Sequence, residues 1–214
     1  MNRLSVKKIN TKITASELSV VFDKERIPFH PVAYVNWVDY PYKPDVQFRI
    51  AHNGSHILLN FQVEESDIQA ICTEDGGNVW EDACVEFFIA FPHQDFYTNI
   101  ECNCIGKIVA TARTDKQHCL SAPFNLANRI ERWSNLGQQP VANLSGSWEV
   151  SLIIPVEVFL LKEIHSLDGI QANGNFYKCG DKLKVPHFLS WNPIRSEQPN
   201  FHLPQFFGEI CFEN

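Results

Sequence analysis

The residues of this chain best suited to holding a small polar ligand are two tryptophans and the polar side chains near them. In the stretch VWEDACVEFFIAF (79–91), read as extended chain, Trp80, Asp82, Cys84, Glu86 and Phe88 share one face. Ala83, Val85, Phe87, Ile89 and Phe91 share the other, which is a core face. An aromatic ring on the outer side can stack on the C–H face of a pyranose, and a nearby carboxylate can accept from sugar hydroxyls. In the next extended stretch Asn99, Glu101 and Asn103 point opposite to Ile100, Cys102 and Cys104. If the two stretches pair, Glu86, Glu101 and Asn103 line one polar surface. Trp191 lies at a strand end in HFLSWNPIRSEQPNFH (187–202), beside Asn192, Pro193 and Arg195. Two tryptophans at such junctions could clamp a flat ligand. The competing reading is a rim tryptophan above a water-facing sheet, with Trp191 plugging the core.

Other chemistries need other patterns. Glu86 and Glu101 could serve as a glycosidase pair, but that requires two acids at a set separation across the bond. There is no GxSxG, HExxH or phosphate-cradling glycine loop. The eight histidines are scattered; His52 and His56 flank a turn and could meet across a hairpin. Seven cysteines, an odd number without CxxC spacing, indicate neither a full disulfide set nor a zinc knuckle. Cys102 and Cys104 share a face with Ile100 and read as buried thiols, with a metal pair as the alternative. NGS (53–55) and NLS (143–145) match glycosylation sequons.

The elements that must position these residues are mainly strands. Candidates are 46–52, 56–65, 82–91, 98–114, 147–155, 175–180, 187–191 and 206–212. HNGS (52–55) joins the first two as a hairpin, and Gly106–Lys107 splits 98–114 in two. PVEVFLLKEIHS (155–166) reads as a helix or an irregular turn. The stretch 115–146 reads as a long loop with a short helix at 125–133. Prolines 28, 31, 41 and 44 mark residues 1–45 as irregular. Many closely spaced strands and at most one or two short helices predict an all-β, single antiparallel β-sandwich spanning residues 1–214.

Composition narrows the partners. A formal charge of −7 with no basic patch disfavours nucleic acid. No apolar run of 18 residues exists, so no membrane span is expected. The basic start has no long apolar region, so no signal peptide is expected, and by sequence the chain reads as cytoplasmic.

The order of VWEDACVEFFI, NIECNCIG, GSWEVSLIIPVEVF, NFYKCGD, FLSWNP and PQFFGEICF resembles family 9 carbohydrate-binding modules and related DOMON-like sandwiches over roughly residues 32–213. The resemblance implies a non-catalytic β-sandwich that binds a mono- or oligosaccharide at the end of a β-linked glycan, and an exported protein. It implies a clamp of Trp80 and Trp191, with hydrogen bonds from Glu86 and Asn103; Asn192 and Arg195 complete the expected site. Structural calcium is implied for the family. Ser151 stands where the family usually has glutamate, and the family's basic residue falls to Lys107, Arg113 or Arg195. The alternatives are a small xylan- or glucan-directed hydrolase and a DOMON-like interaction or haem domain. For haem, the single methionine is the initiator, so no Met/His pair is available.

Overall fold

The structure is a computed structural model that describes residues 1–10, 13–120, 126–160 and 165–214. Its strands are β1 (Arg3–Lys8), β2 (His30–Pro31), β3 (Tyr34–Val35), β4 (Asp45–His52), β5 (His56–Ala70), β6 (Cys84–Ala90), β7 (Tyr97–Asn103), β8 (Ile108–Arg113), β9 (Glu131–Ser134), β10 (Val141–Pro155), β11 (Gln171–Cys179), β12 (Phe188–Ser190) and β13 (Gly208–Phe212). One helix, α1, spans Leu18–Lys24. The hydrogen-bonded path runs β8-β7-β6-β11-β13-β1-β4-β5-β10-β9. It curls at β1, whose first half pairs with β13 (Leu4 with Ile210) and whose end pairs with β4 (Lys7 with Ala51). Both of these pairings are parallel, whereas the other strand pairings are antiparallel, and the fold is the all-β sandwich expected. Among the described residues no helix is long and apolar enough to cross a membrane.

The alternation in β6 does what its pattern predicts on the inner side. Val85, Phe87 and Ile89 join one apolar core with Phe48, Leu59, Phe61, Val150 and Leu152 of the opposite sheet. Phe176 of β11 ties the layers together, stacked between Phe48 (ring centroids 3.7 Å apart) and Phe87 (4.8 Å). Such rings bury large apolar areas, and close stacking in offset geometry adds to that burial.

The N-terminal segment is more ordered than its prolines suggest. Leu4 and Val6 alternate into the core from β1. Leu18 and Phe22, four residues apart, put one face of α1 onto Ala51, Leu58 and Ile153. Thr14 and Glu17 form a capping box at the start of the 3₁₀ turn Ala15–Glu17, which leads directly into α1. Further on, the expected helix at 155–166 is a short 3₁₀ turn, Val156–Phe159, closed by Leu160 at φ 52°; residues 161–164 lie outside the described residues. Of the helix expected at 125–133, Leu126 and Ala127 are helical, residue 125 lies outside the described residues, and Glu131–Ser134 is β9 instead. Pairing with β10 (Ser151 with Trp133) outweighs the weak local helical preference there.

Candidate functional site

The outer face of β6, β7 and β11 is not a bare, water-facing sheet. A second apolar cluster covers much of it, with Phe88, Tyr97 and Tyr177 from the strands and Trp37, Ile194 and Phe201 from the loops above. Tyr177 stacks on Phe201 with centroids 4.2 Å apart and planes 9° apart, and its hydroxyl donates to the Phe201 carbonyl. Tyr97 Oη lies 2.8 Å from His202 Nδ1. These contacts hold the 199–202 segment over the sheet as a roof and leave a cleft beside it.

The cleft has a volume of about 250 Å³ and opens to solvent. Trp80, Phe188 and Phe201 supply its aromatic walls. Glu86, Glu101 and Asp181 supply carboxyls, Arg113 and Lys116 supply cations, and Asn200 and His202 add neutral polar groups. Each is placed by an identifiable local device. A 3₁₀ turn, Val79–Glu81, presents the half-buried Trp80. Asp82 fastens that turn: its carboxylate accepts from the amides of Ile71 (2.9 Å) and Cys72 (3.0 Å) and from Asn103 Nδ2 (2.9 Å). The Trp80 carbonyl accepts from the Asp181 amide at 3.2 Å, which links the two sides of the entrance. Arg113 is oriented by β7 and β8, because its Nε donates to Asn99 (3.1 Å) and Thr111 (2.9 Å). Of the three basic candidates, Arg113 is the one that reaches the cleft; Lys107 and Arg195 are not among its lining residues.

The floor is electrostatically unusual. Glu86 and Glu101 are register partners on β6 and β7, only 4% and 5% exposed. Neither has a cationic ion-pair partner among the described residues. Burial raises both carboxyls, with Cys179 and Glu101 adding to the effect on Glu86; Glu101 is pushed up to about 7 despite a hydrogen bond from Asn99. Asp181 is raised to about 6, chiefly by burial. His202 falls to about 3 through burial and the nearby Arg113 and Lys116. The cleft therefore offers proton donors and acceptors in a partly dry setting, the environment in which a hydrogen bond to a polar ligand discriminates most.

The six expected site residues part company here. Trp80 and Glu86 line the cleft. Trp191 does not stand opposite Trp80; it is 5% exposed and sits in the inter-sheet core, edge-on to Phe176 (5.6 Å) and Phe48 (6.3 Å). The chain makes room for it at Gly208, where a Cβ would lie 2.5 Å from the Trp191 ring and 2.8 Å from the Asn2 carbonyl. Asn103 is fully buried and serves the tight turn, donating to Asp82 and the Cys72 carbonyl while accepting from the Lys107 amide. Asn192 joins distant segments: its Oδ1 accepts from the Asn2 amide and its Nδ2 donates to the Phe206 carbonyl. Arg195 is exposed outside the cleft lining. The structure thus does not bring Trp80 and Trp191 face to face; the aromatic residues that line the cleft with Trp80 are Phe188 and Phe201. Asp181, Lys116, Asn200 and His202 carried no sequence signal of their own, since they come from loops whose register no alternation fixes.

Among the described residues one group of three potential metal ligands occurs, Cys84, Glu86 and Cys179. Calcium takes six to eight oxygen ligands, so this sulfur-rich set does not fit it. The pair Cys102 and Cys104 points into the apolar core between the sheets. His52 and His56 do not form a site either: His52 is buried against Phe212, while His56 Nδ1 faces Ser55 and Asn53.

Comparison with known proteins agrees with this architecture. A 2.70 Å crystal structure of a candidate carbohydrate-binding protein from Bacteroides uniformis ATCC 8492 is 45% identical, covers 99% of each chain and superposes with a TM-score of 0.94. A carbohydrate-binding module of family 9 from Caldicellulosiruptor kristjanssonii in complex with cellotriose superposes at 0.65 with 12% identity, over 99% of this chain and 94% of that one. A family 9 module from the same organism in complex with glucose gives 0.64 and 11% identity, over 99% and 96%. At these identities the two modules share the fold. No curated protein matches the sequence. The sequence profile described as carbohydrate-binding family 9 matches residues 16–212, nearly the whole chain, and the chain therefore belongs to carbohydrate-binding family 9.

Proposed function

We propose that the chain binds a mono- or oligosaccharide, non-catalytically, in the cleft beside Trp80. The observation that carries this reading is the meeting, in one small open cleft, of a half-buried tryptophan with buried carboxyls and an oriented arginine. Trp80, aided by Phe188 and Phe201, supplies the apolar face for a pyranose ring. Glu86, Glu101 and Asp181 accept from, or when protonated donate to, its hydroxyls, and Arg113 donates. A cleft of about 250 Å³ is at or below the lower end of ligand pockets, which favours a terminal sugar unit over a long chain lying across the surface. The complexes of related modules with glucose and cellotriose suggest the end of a β-linked glucan as the first ligand to try.

The hydrolase reading is weaker on geometry. Glu86 and Glu101 are neighbours on adjacent strands of one floor, so both approach a bound sugar from the same side. Glycosidase acids flank the scissile bond. Calorimetric titration with glucose and cellotriose tests the proposal. Trp80→Ala should weaken the complex at least about tenfold, whereas Arg195→Ala should leave it unchanged. Unaltered affinity in Trp80→Ala removes this site, and reducing-sugar release abolished by Glu86→Gln would replace binding with hydrolysis.

A further inference from the structure

Beneath the aromatic wall of the cleft lies a cluster of three side chains of which the sugar reading uses only Glu86. Cys84 and Cys179 are register partners on β6 and β11, and Glu86 follows Cys84 by two residues on the same face. All three are buried. Their ligating atoms lie within 4.8 Å of one another, and Cys179 Sγ is 3.1 Å from Glu86 Oε1. We infer that Cys84, Cys179 and Glu86 form a binding site for a thiophilic divalent cation, with zinc as the reference ion, at the floor of the cleft. This inference stands on the cluster itself and does not depend on the sugar reading.

Several features fit. A four-coordinate zinc ion with sulfur at about 2.3 Å and oxygen at about 2.0–2.2 Å separates its ligand atoms by roughly 3.4–3.8 Å. Cys179 Sγ and Glu86 Oε1, at 3.1 Å, would have to open by about half an ångström, and no pair would have to close by more than about an ångström. The strands are inner members of the sheet, which gives the ligand set a rigid base. Glu86 and Cys179 border the cleft, so the ion has an entry route and its fourth position faces solvent. Two thiolates and one carboxylate select a borderline-soft ion over calcium or magnesium. No lysine, arginine or histidine forms an ion pair with Glu86 among the described residues, so the cation would also supply the countercharge this buried carboxyl lacks. In the metal-free protein Cys179 donates its thiol proton to Glu86. Binding releases both thiol protons to solvent, together with the Glu86 proton where that carboxyl is protonated, and the dication joins two thiolates and one carboxylate without any change in oxidation state.

The other cysteines serve as internal controls. Cys72 and Cys211 are half-buried and belong to no such cluster. The test uses chelator-stripped protein kept reduced with a phosphine, titrated with zinc against a chromophoric chelator and, separately, with cobalt(II). One equivalent of zinc should bind, and cobalt should give an intense near-ultraviolet thiolate-to-metal band. Cys84→Ser and Cys179→Ser should each lower zinc affinity by at least about tenfold and abolish or shift the band. Glu86→Gln should keep the thiolate band with weakened affinity, and the double variant Cys72→Ser/Cys211→Ser should behave like the wild type. Absence of stoichiometric uptake by the folded, reduced wild-type protein overturns the proposal without recourse to any variant. Uptake unaffected by both Cys84→Ser and Cys179→Ser also overturns it, as does a Cys84–Cys179 disulfide persisting in the phosphine.

Discussion

Two buried glutamates of this molecule sit in opposite electrostatic surroundings. Glu65 lies at the end of the sandwich, where its Oε1 accepts from the Trp148 indole N–H at 2.6 Å and its Oε2 forms an ion pair with Lys178 at 3.0 Å. Lys178 is itself sealed, donating to His187 Nε2 and to the Cys179 carbonyl, both at 2.8 Å. Every strong charge there has a counterpart. On the outer face of the sheet that carries Lys178, Glu86 has a thiol at 3.1 Å and another carboxyl, Glu101, as its register partner. It has no cation within ion-pair distance among the described residues. A fold that needed Glu86 only for stability would have no reason to leave it so poorly compensated, because an unpaired buried carboxylate opposes folding. The contrast separates an acid fixed by its partners from one that, on the function proposed above, is kept for a ligand.

The sharpest way to break the comparison is to remove the compensating cation. Lys178→Met leaves the buried Glu65 carboxyl without its cation. The expected loss is about 3–5 kcal/mol in urea unfolding, against little or no loss for truncating a surface lysine such as Lys182. A loss under about 1 kcal/mol in Lys178→Met would mean that the network is ornamental and that compensation is no guide to role.

A smaller effect concerns the third member of the network. His187 is held neutral: its Nδ1–H donates to the Val185 carbonyl at 2.9 Å and its Nε2 accepts from Lys178. Burial and the Lys178 ammonium lower its folded value from 6.5 to about 3. The sign follows from linkage. The unfolded chain takes up a proton below 6.5 that the folded chain refuses, so this contribution is fully present above 6.5 and is lost as pH falls toward 3. Between pH 7 and 5 the loss amounts to about 2 kcal/mol. The raised cleft carboxyls act in the opposite direction, so the measurement is the difference in unfolding free energy between wild type and His187→Gln at the two pH values. A difference that does not change with pH would show that His187 is free to protonate in the fold.

Much of the frame was legible before any coordinates. Alternation in 83–91 assigned the core face, and Gly54 and Gly106, both at positive φ, ended strands where the turns were read. Trp80 and Glu86 stood out because type and parity agreed. What alternation could not carry was the layer above the sheet. It marked Glu86 and Glu101 as outward, and they are, but loops from residues beyond 190 fold back over them. Trp191 failed for the converse reason: β12 is three residues long, too short for parity to say which side its end faces. Lys178 carries a charge on a core-facing position of β11, and its partner Glu65 is remote in sequence. No local pattern could announce that pair. In the N-terminal segment the signals were present, since Leu4 and Val6 alternate and Leu18 and Phe22 have helical spacing, but the prolines that follow masked them.

The smallest expected effect, and the one that sharpens the contrast most, is Glu86→Gln in metal-free protein. The amide keeps the shape and can still accept from Cys179 while removing a charge that burial disfavours. Its stability should therefore stay within about 1 kcal/mol of wild type or rise, where a structural acid such as Glu65 would lose several times that when its pairing is broken. Sugar affinity should nevertheless fall, because an amide cannot reproduce two acceptor oxygens toward neighbouring hydroxyls. Parallel urea titrations and calorimetry on the same preparation read both quantities. A stability loss above about 2 kcal/mol would place Glu86 in the same class as Glu65. A tolerated substitution that also leaves sugar binding intact would strip Glu86 of both roles and leave the metal cluster as its sole remaining explanation.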